Sequence, residues 1–309
     1  MLGILLKAAA FVFIIFIGIF VRKIHMVGPE AGDAVKKLML NFTLPCALIT
    51  SFSRIESVSV TLLLLTVLGI GSNIIMIIVG GIASRGRKGG DRAMYMLSCP
   101  AYNIGAFCLP FVQEFLPAMG VAASCMFDAG NSIMCTGGTY AFVSEYTADA
   151  ANKHGFDVKM VLKRLSKSVA FLVYVAMFIL TCFNIHLPEE ILTILTPASN
   201  ANACMAMLMI GLTFHLELKG EYISDIVKMI VLRQIWAFIF AAFCYFALPF
   251  DLVIRQALVI VAFGPMSAIA PAFTSMCNGD EGKASAANSL TIILSIIEIT
   301  VVLIVLGIY

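Results

Sequence analysis

Long apolar stretches separated by short polar segments run along the whole chain. A helix needs about 20 mostly apolar residues to cross a bilayer, because it rises about 1.5 Å per residue. Ten stretches come close to or exceed this length: residues 2–21, 35–53, 59–83, 93–115, 118–143, 168–187, 190–214, 226–248, 253–277 and 284–308. The pattern therefore predicts an all-α membrane protein with ten transmembrane helices.

Two of these ten stretches are weaker than the others. The second begins amphipathically at Lys36 and Lys37 and contains Pro45, and the seventh carries Pro197 and Asn202. An alternative interpretation places either of them in the membrane interface instead of across the bilayer.

The composition agrees with a membrane location. Hydrophobic residues make up 61% of the chain and charged residues 12%, whereas soluble domains have about 45–50% and about 25%. The net charge of +2 provides no basic field for nucleic acid. The nine cysteines are odd in number, form no C-x-x-C and lie in or beside apolar stretches, which favours free buried thiols. We therefore expect no metal and no cofactor.

The distribution of lysine and arginine predicts the topology. If the N-terminus lies outside and the chain crosses ten times, the outer loops hold only Arg54 and Arg255. The inner loops then hold Arg22, Lys23, Arg85, Arg87, Lys88, Arg92, Lys153, Lys159, Lys163, Arg164, Lys167, Lys219, Lys228 and Lys283. Positive residues accumulate on the cytoplasmic side of membranes. We therefore expect a multi-pass protein of the plasma membrane with both termini outside.

The longest polar stretch, residues 148–168, divides the predicted helices into two runs of five. This predicts a first repeat over residues 1–147, a cytoplasmic linker over 148–167 and a second repeat over 168–309. Because five is odd, the second run starts on the opposite side of the membrane, so any likeness between the runs is an inverted repeat. Inverted repeats are common in secondary transporters.

The fourth helix of each run contains a pair of prolines, Pro100 with Pro110 and Pro265 with Pro271. Proline removes a backbone donor and clashes with the preceding turn. In a membrane, a broken helix is tolerated where protein or a water-filled cavity satisfies its backbone. Matched breaks in two repeats indicate a substrate site near the midplane, and half-helix N-termini suit a carboxylate. Simple proline kinks are the alternative interpretation.

The fifth helix of each run repeats an Asn-Ser pair, Asn131-Ser132 and Asn288-Ser289, among small residues. Such residues hydrogen-bond across closely packed helices, so helix packing alone is one interpretation. The functional interpretation is that Asn131 and Asn288 support the broken segments. The predicted substrate-binding residues are Asn103, Ile104, Gly105, Pro110, Pro265, Ser267, Ala268, Pro271, Asn131 and Asn288.

Charged residues inside apolar helices are costly and serve as functional candidates. Asp128 in helix five and Glu298 in helix ten are candidates for carrying a coupling proton or sodium ion. Structural hydrogen bonding is the competing explanation for both. Arg233, near the inner end of helix eight, is expected to snorkel to the interface instead of binding substrate.

Several short motifs follow one another in a familiar order. They are LNFTLP at 40–45, NxGxxxLP at 103–110, APA at 270–272, GD at 279–280 and AS at 284–285. In these motifs and in its topology, the chain resembles the auxin efflux carrier family in its short bacterial form, over essentially its whole length. It departs from the family at Cys108, where glycine is usual, and in its short central loop.

The resemblance implies two inverted five-helix repeats in which the broken helices four and nine cross, as in bile-acid symporters and sodium/proton antiporters. It implies a scaffold domain of helices one, two, six and seven, and a mobile domain of the remaining helices. It also implies elevator-type transport of organic anions such as malonate, malate or auxin-like acids, and a homodimer.

Two other classes of function remain open. A membrane potential of about −100 mV favours exit of a monoanion by roughly 2.3 kcal/mol, so uptake would need a co-transported cation. A sodium- or proton-coupled symporter or exchanger with Asp128 as ion ligand is therefore the alternative. An enzyme or receptor is the third class. We expect no enzyme and no catalytic residues, since the histidines His25, His154, His186 and His215 all lie at helix ends or in loops.

Overall fold

The computed structural model of the protein describes residues 2–55, 59–87, 89–147, 158–216 and 218–308. Within these ranges the chain is helical and contains no strand, apart from an isolated antiparallel bridge between Tyr102 and Met266. Residues 148–157 of the predicted linker, with Lys153, and the inner-loop residue Lys88 lie outside the described residues.

Fifteen α-helices follow one another in the described part. The first eight are α1 (Leu2–Lys23), α2 (Ala31–Leu38), α3 (Leu44–Phe52), α4 (Leu63–Ala83), α5 (Gly89–Ser98), α6 (Leu109–Phe115), α7 (Ala118–Ile133) and α8 (Thr139–Thr147). The others are α9 (Val158–Leu165), α10 (Val169–Cys182), α11 (Glu189–Thr213), α12 (Ile223–Phe246), α13 (Leu252–Ala262), α14 (Ala270–Met276) and α15 (Glu281–Val305).

Short turns extend several of these helices. The π-helical turn Met39–Thr43 joins α2 and α3 into one continuous helical segment. Between α7 and α8, the turn Met134–Gly138 contains a kink at Gly137, whose backbone is not helical. A third π-helical turn, Ile104–Cys108, leads into α6, while the 3₁₀ turns Val60–Leu62 and Gly220–Tyr222 open α4 and α12.

Five helical segments are long and apolar enough to cross a membrane: Leu5–Lys23, Val60–Ala83, Glu189–Thr213, Gly220–Phe246 and Glu281–Val305. Three shorter apolar segments are Ile104–Phe115, Val169–Cys182 and Leu252–Ala262. Large apolar side chains such as Phe13, Phe16 and Phe20 are more than half exposed on α1, as expected where lipid is the solvent. These features fit a membrane-embedded protein.

The observed helices follow the predicted stretches with informative exceptions. The second stretch contains a π-helical turn, and Pro45, which lacks a backbone N–H, follows this turn at the second residue of α3. Pro197 lies inside α11 without ending it. The predicted linker contains an additional helix, α9, which carries Lys163 and Arg164 in its last turn.

The helices pack in two groups. In the first, named unit A, α11 packs against α1, α2 and α3, and α10 packs against α3. The second, unit B, contains α4 to α8 and α12 to α15. Glycines permit the closest approaches, since a Cβ on Gly130 of α7 would lie 2.0 Å from the carbonyl oxygen of Thr66 on α4. The units meet mainly where α3 and α10 contact α7, where α11 contacts α6 and where α1 contacts α15.

A buried carboxylate fastens one end of unit B. Asp225, in the first turn of α12, accepts hydrogen bonds from Lys283 of α15 at 2.9 Å and from the Tyr95 hydroxyl of α5 at 2.9 Å. It also pairs with Arg87, which follows α4. Because one carboxylate serves partners from three other segments, α5, α12 and α15 are held together at this end.

Candidate functional site

The first break lies between α5 and α6. Helix α5 ends at Ser98, and helical structure resumes at Ile104. Pro100 lies in the gap, and Ala101 takes a positive φ of 65°, which ordinary helix does not contain. Pro110 lies further along, inside the helical segment that begins at Ile104 and just after its π-helical turn. The predicted interruption of this helix is therefore confirmed.

The second break lies between α13 and α14. Helix α13 ends at Ala262, and α14 begins at Ala270. Pro265 lies in the gap, and Pro271 stands in the first turn of α14. The two breaks thus share one arrangement, with one proline inside the gap and another in the helical segment that follows.

The two breaks lie side by side and hydrogen-bond to each other. Tyr102 and Met266 pair as the isolated antiparallel bridge, and the Asn103 N–H donates to the Pro265 carbonyl at 2.9 Å. A backbone polar group without a partner costs several kcal/mol in a membrane. Each break therefore supplies part of the hydrogen bonding that the other needs.

Arg233 of α12 joins the helix ends that precede the breaks. The residue is only 7% exposed, and its Nη2 donates to the Gly264 carbonyl at 3.1 Å. Its Nη1 contacts the carbonyl oxygens of Ser98 at 3.3 Å, Cys99 at 2.6 Å, Pro100 at 3.1 Å and Ala101 at 3.2 Å. Helix C-termini carry unpaired carbonyls and partial negative charge, which a guanidinium satisfies. The expectation that Arg233 snorkels to the interface is wrong, because its side chain is buried and donates to carbonyl oxygens at the two breaks.

Two buried asparagines hold the first break. Asn131 of α7 accepts from the Tyr102 N–H at 3.0 Å and donates to the Tyr102 carbonyl at 2.9 Å, as a neighbouring strand would. Asn73 of α4 accepts from the Ala101 N–H at 2.7 Å. Asn131 was expected to support a broken segment, and it does. Asn73 was not anticipated, although a single asparagine in the apolar stretch of α4 was a usable signal.

The second break is supported differently. The Met266 N–H donates to Thr291 Oγ1 at 3.1 Å, and the Thr291 hydroxyl donates to the Asn288 carbonyl at 2.7 Å. The Asn288 side chain makes no hydrogen bond within the described residues, and its Oδ1 is buried without a partner. The supporting role expected of this side chain is therefore not observed.

A cavity of about 630 Å³ lies beside the breaks, with walls from both packing units. Eight of the ten predicted substrate-binding residues line it: Asn103, Ile104, Gly105, Asn131, Ser267, Ala268, Pro271 and Asn288. Pro265 is not in the wall and acts through its carbonyl at the bridge, whereas Pro110 lines a smaller cavity. Tyr102, Tyr174, Leu44, Met209 and Ile292 supply large aromatic and apolar surfaces.

Asp128 lines the same cavity and is 5% exposed. Its Oδ1 accepts from Asn131 Nδ2 at 2.9 Å, and its Oδ2 accepts from the hydroxyl of Tyr174 on α10 at 2.9 Å. Its hydrogen-bonding partners in the described part of the chain are uncharged. A buried carboxylate without a counterion is unfavourable, so this position suits a proton or another cation. Tyr174, which links α10 of unit A to α7 of unit B, was not predicted from the sequence.

Glu298 lies elsewhere. It is half-buried on α15, accepts from Gln234 Nε2 at 3.3 Å and is not in the wall of the large cavity. The structure therefore separates the two carboxylates that the sequence offered for ion coupling, and only Asp128 stands beside the breaks.

The chain was compared with models of known protein families and with curated proteins, and it matches none of them. Among the residues that the structure describes, no group of three or more His, Cys, Asp or Glu side chains could hold a metal ion. The wall of the large cavity offers a ligand the side-chain amides of Asn103 and Asn288, and its charged residues are Asp33, Asp128, Glu281 and Lys36.

Proposed function

We propose that the protein is a secondary transporter of small organic anions, of the auxin efflux carrier type. The observation that carries the proposal is the pair of hydrogen-bonded helix breaks beside a cavity of about 630 Å³. Non-helical backbone at membrane depth is stable only where protein or water satisfies it, and transporters use such segments to bind their substrates.

The groups around the cavity suit an organic carboxylate. The side-chain amides of Asn103 and Asn288 make no hydrogen bond within the described residues, so both are available to a ligand. The helical segment Ile104–Phe115 begins in the cavity wall, and the first N–H groups of a helix lack internal partners and attract anions. Apolar and aromatic walls with a few polar groups are typical of small-molecule sites.

Under this proposal the chain crosses the plasma membrane ten times, as two inverted five-helix repeats with crossed broken helices and both termini outside. The corresponding positions of the two breaks in their repeats support that arrangement. Unit A contains the helices that the resemblance assigns to a scaffold, and unit B contains both breaks. Movement of unit B against unit A would carry the site between the two sides, as an elevator mechanism requires.

A cation-coupled symporter or exchanger is a second candidate, and Asp128 favours it. This carboxylate is buried in the cavity wall, and its hydrogen-bond partners in the described residues are Asn131 and Tyr174, both uncharged. In a coupled carrier, a proton or sodium ion on Asp128 would cancel the repulsion between this carboxylate and an incoming anion.

A thermal-shift screen of the purified full chain tests both candidates. Malonate, malate and indole-3-acetate are added with and without sodium, each at two pH values. A ligand that binds only the folded protein raises the melting temperature by mass action. We expect at least one carboxylate to raise it in the wild type and not in Asn103→Ala, which lacks the amide between the two prolines.

Two further outcomes decide between the candidates. Loss of the sodium or pH dependence in Asp128→Asn, with the carboxylate effect retained, would support coupling through Asp128. Stabilisation by sodium alone, with no effect of any carboxylate, would contradict the organic-anion proposal. Equal stabilisation of the wild type and Asn103→Ala would show that the amide is not part of the site.

A further inference from the structure

A second cavity, of about 280 Å³, lies further along the same broken helix. Asn103 and Gly105 line the large cavity, whereas Pro110, Gln113 and Glu114 line the small one. Its remaining wall comes from the end of α3 and from the middle of α11. Both cavities are therefore built against one segment of unit B, at different points along it, and each is completed by unit A.

A series of hydrogen bonds runs from one cavity toward the other. The Thr43 hydroxyl, next to Leu44 in the wall of the large cavity, donates to Asn202 Oδ1 at 3.1 Å. Asn202 is fully buried on α11, and its Nδ2 donates to Gln113 Oε1 at 2.9 Å. These hydrogen bonds connect unit A to unit B beside both walls, since Thr43 adjoins Leu44 of the large cavity and Gln113 lines the small one.

The small cavity is rich in unused hydrogen-bond donors. Arg54, which follows α3, is exposed, and its guanidinium has no hydrogen bond or ion pair within the described residues. Gln113 Nε2 is buried without a partner, and the exposed amide of Asn200 also lines the wall. Because Asn202 already donates to Gln113 Oε1, the group that Gln113 has left is a donor.

The one carboxylate in this wall is already neutralised. Glu114 pairs with Lys7 of α1 at 2.6 Å, which leaves the Arg54 guanidinium as the cation of this wall without a partner among the described residues. The hydroxyls of Thr50 and Ser199 are paired with each other at 2.8 Å. A planar guanidinium binds carboxylates through two parallel hydrogen bonds, and an amide donor adds a third.

We propose that the small cavity is a second binding site, and that it takes a small carboxylate on Arg54 with Gln113 and Asn200. Its volume of about 280 Å³ lies just below the range of about 300–1,000 Å³ that small-molecule sites occupy, which favours a compact anion. The further idea that this anion is the transported one, docked on the far side of these hydrogen bonds, rests on the proposed function. The proposal that the small cavity binds a carboxylate does not rest on it.

Equilibrium binding of radiolabelled malonate to the purified full chain tests the proposal. We expect the wild type to bind at two sites and Arg54→Gln to weaken one of them by about ten- to hundredfold, the usual effect of losing charge-assisted hydrogen bonds. Arg54→Lys keeps the positive charge but not the planar guanidinium, so its affinity for malonate should lie between those of the wild type and Arg54→Gln. Arg85→Gln removes one exposed guanidinium that lines neither cavity, and it should bind as the wild type does.

The large-cavity variant Asn103→Ala separates this proposal from the proposed function. If the small cavity binds and the large one does not, malonate occupies a single site that Arg54→Gln weakens and Asn103→Ala leaves unchanged. Malonate binding that is equal in the wild type, Arg54→Gln and Arg85→Gln, or that is absent from all three, would overturn the second site. A melting temperature of Arg54→Gln equal to that of the wild type confirms that the variant is folded.

Discussion

The two helix breaks have the same proline pattern but are held in different ways. In the first break, Asn73 and Asn131 bind the backbone of Ala101 and Tyr102 as a neighbouring strand would. In the second, one hydroxyl, that of Thr291, binds the Met266 N–H. Its other hydrogen bonds within the described residues come from the first break and from Arg233, which bind the Pro265 and Gly264 carbonyls.

The corresponding residues Asn131 and Asn288 show what this difference means. Asn131 has its amide satisfied by Tyr102 and Asp128, so it is committed to structure. Asn288 occupies the matching place in the second half, lines the cavity and has a buried Oδ1 without a partner. One half of the site therefore uses its asparagine as a structural support, whereas in the other half the Asn288 Nδ2 group makes no hydrogen bond within the described residues and can donate to a carboxylate. Three substitutions sharpen this comparison.

The largest effect is expected for Arg233→Met, which removes the group shared by both breaks. The change leaves the carbonyls of Ser98 to Ala101 and of Gly264 without their donor, and each buried unpaired group costs about 1–3 kcal/mol. We expect a loss of at least about 3 kcal/mol in stability, measured as a large fall in melting temperature in detergent. The melting temperature of Arg233→Lys should lie between those of Arg233→Met and the wild type. A melting temperature within about 2 °C of the wild type would contradict this role.

A smaller effect is expected for Asn131→Ala. It removes two hydrogen bonds to Tyr102 and one to Asp128, at about 0.5–1.5 kcal/mol each, so a loss of about 2–3 kcal/mol should result. Thermal unfolding of the purified variant measures it. The variant should also bind carboxylates poorly, because the first break forms part of the cavity wall. Wild-type stability would mean that Tyr102 finds other partners.

The smallest effect on stability is expected for Asn288→Ala, the matched variant in the other half. Its side chain has no hydrogen bond to lose within the described residues, so stability should change by less than about 0.5 kcal/mol. Carboxylate binding should weaken clearly, because the ligand loses a polar partner. Parallel melting and binding curves for the two alanine variants make the comparison. If Asn288→Ala is destabilised as much as Asn131→Ala, both side chains support their breaks, and the contrast between the two breaks is contradicted.

Much of the helical organisation could be predicted from the amino-acid pattern. Prolines at 100, 110, 265 and 271 act on the backbone of their own helix, so both interruptions were visible in the sequence. The supporting role of Asn131 could also be predicted, because a polar side chain among small residues in an apolar helix tends to hydrogen-bond to a closely packed neighbour. The hydrogen-bond partners of Arg233 could not be predicted, since its position in α12 does not indicate which carbonyl groups from distant parts of the chain pack around it. Asn73 and Tyr174 were missed for the same reason.

By itself the sequence determined the membrane-embedded helical class and the positions of the breaks, because both depend on residues that are neighbours along the chain. The tertiary structure decided which polar groups are used and which remain free. It joined the breaks through Tyr102 and Met266, and it placed Asp128 in the large cavity and Glu298 outside it. It also placed the Arg54 guanidinium in the wall of a second cavity, with no side-chain partner among the described residues. The physical reason is that a buried polar group must find a partner wherever the packing supplies one.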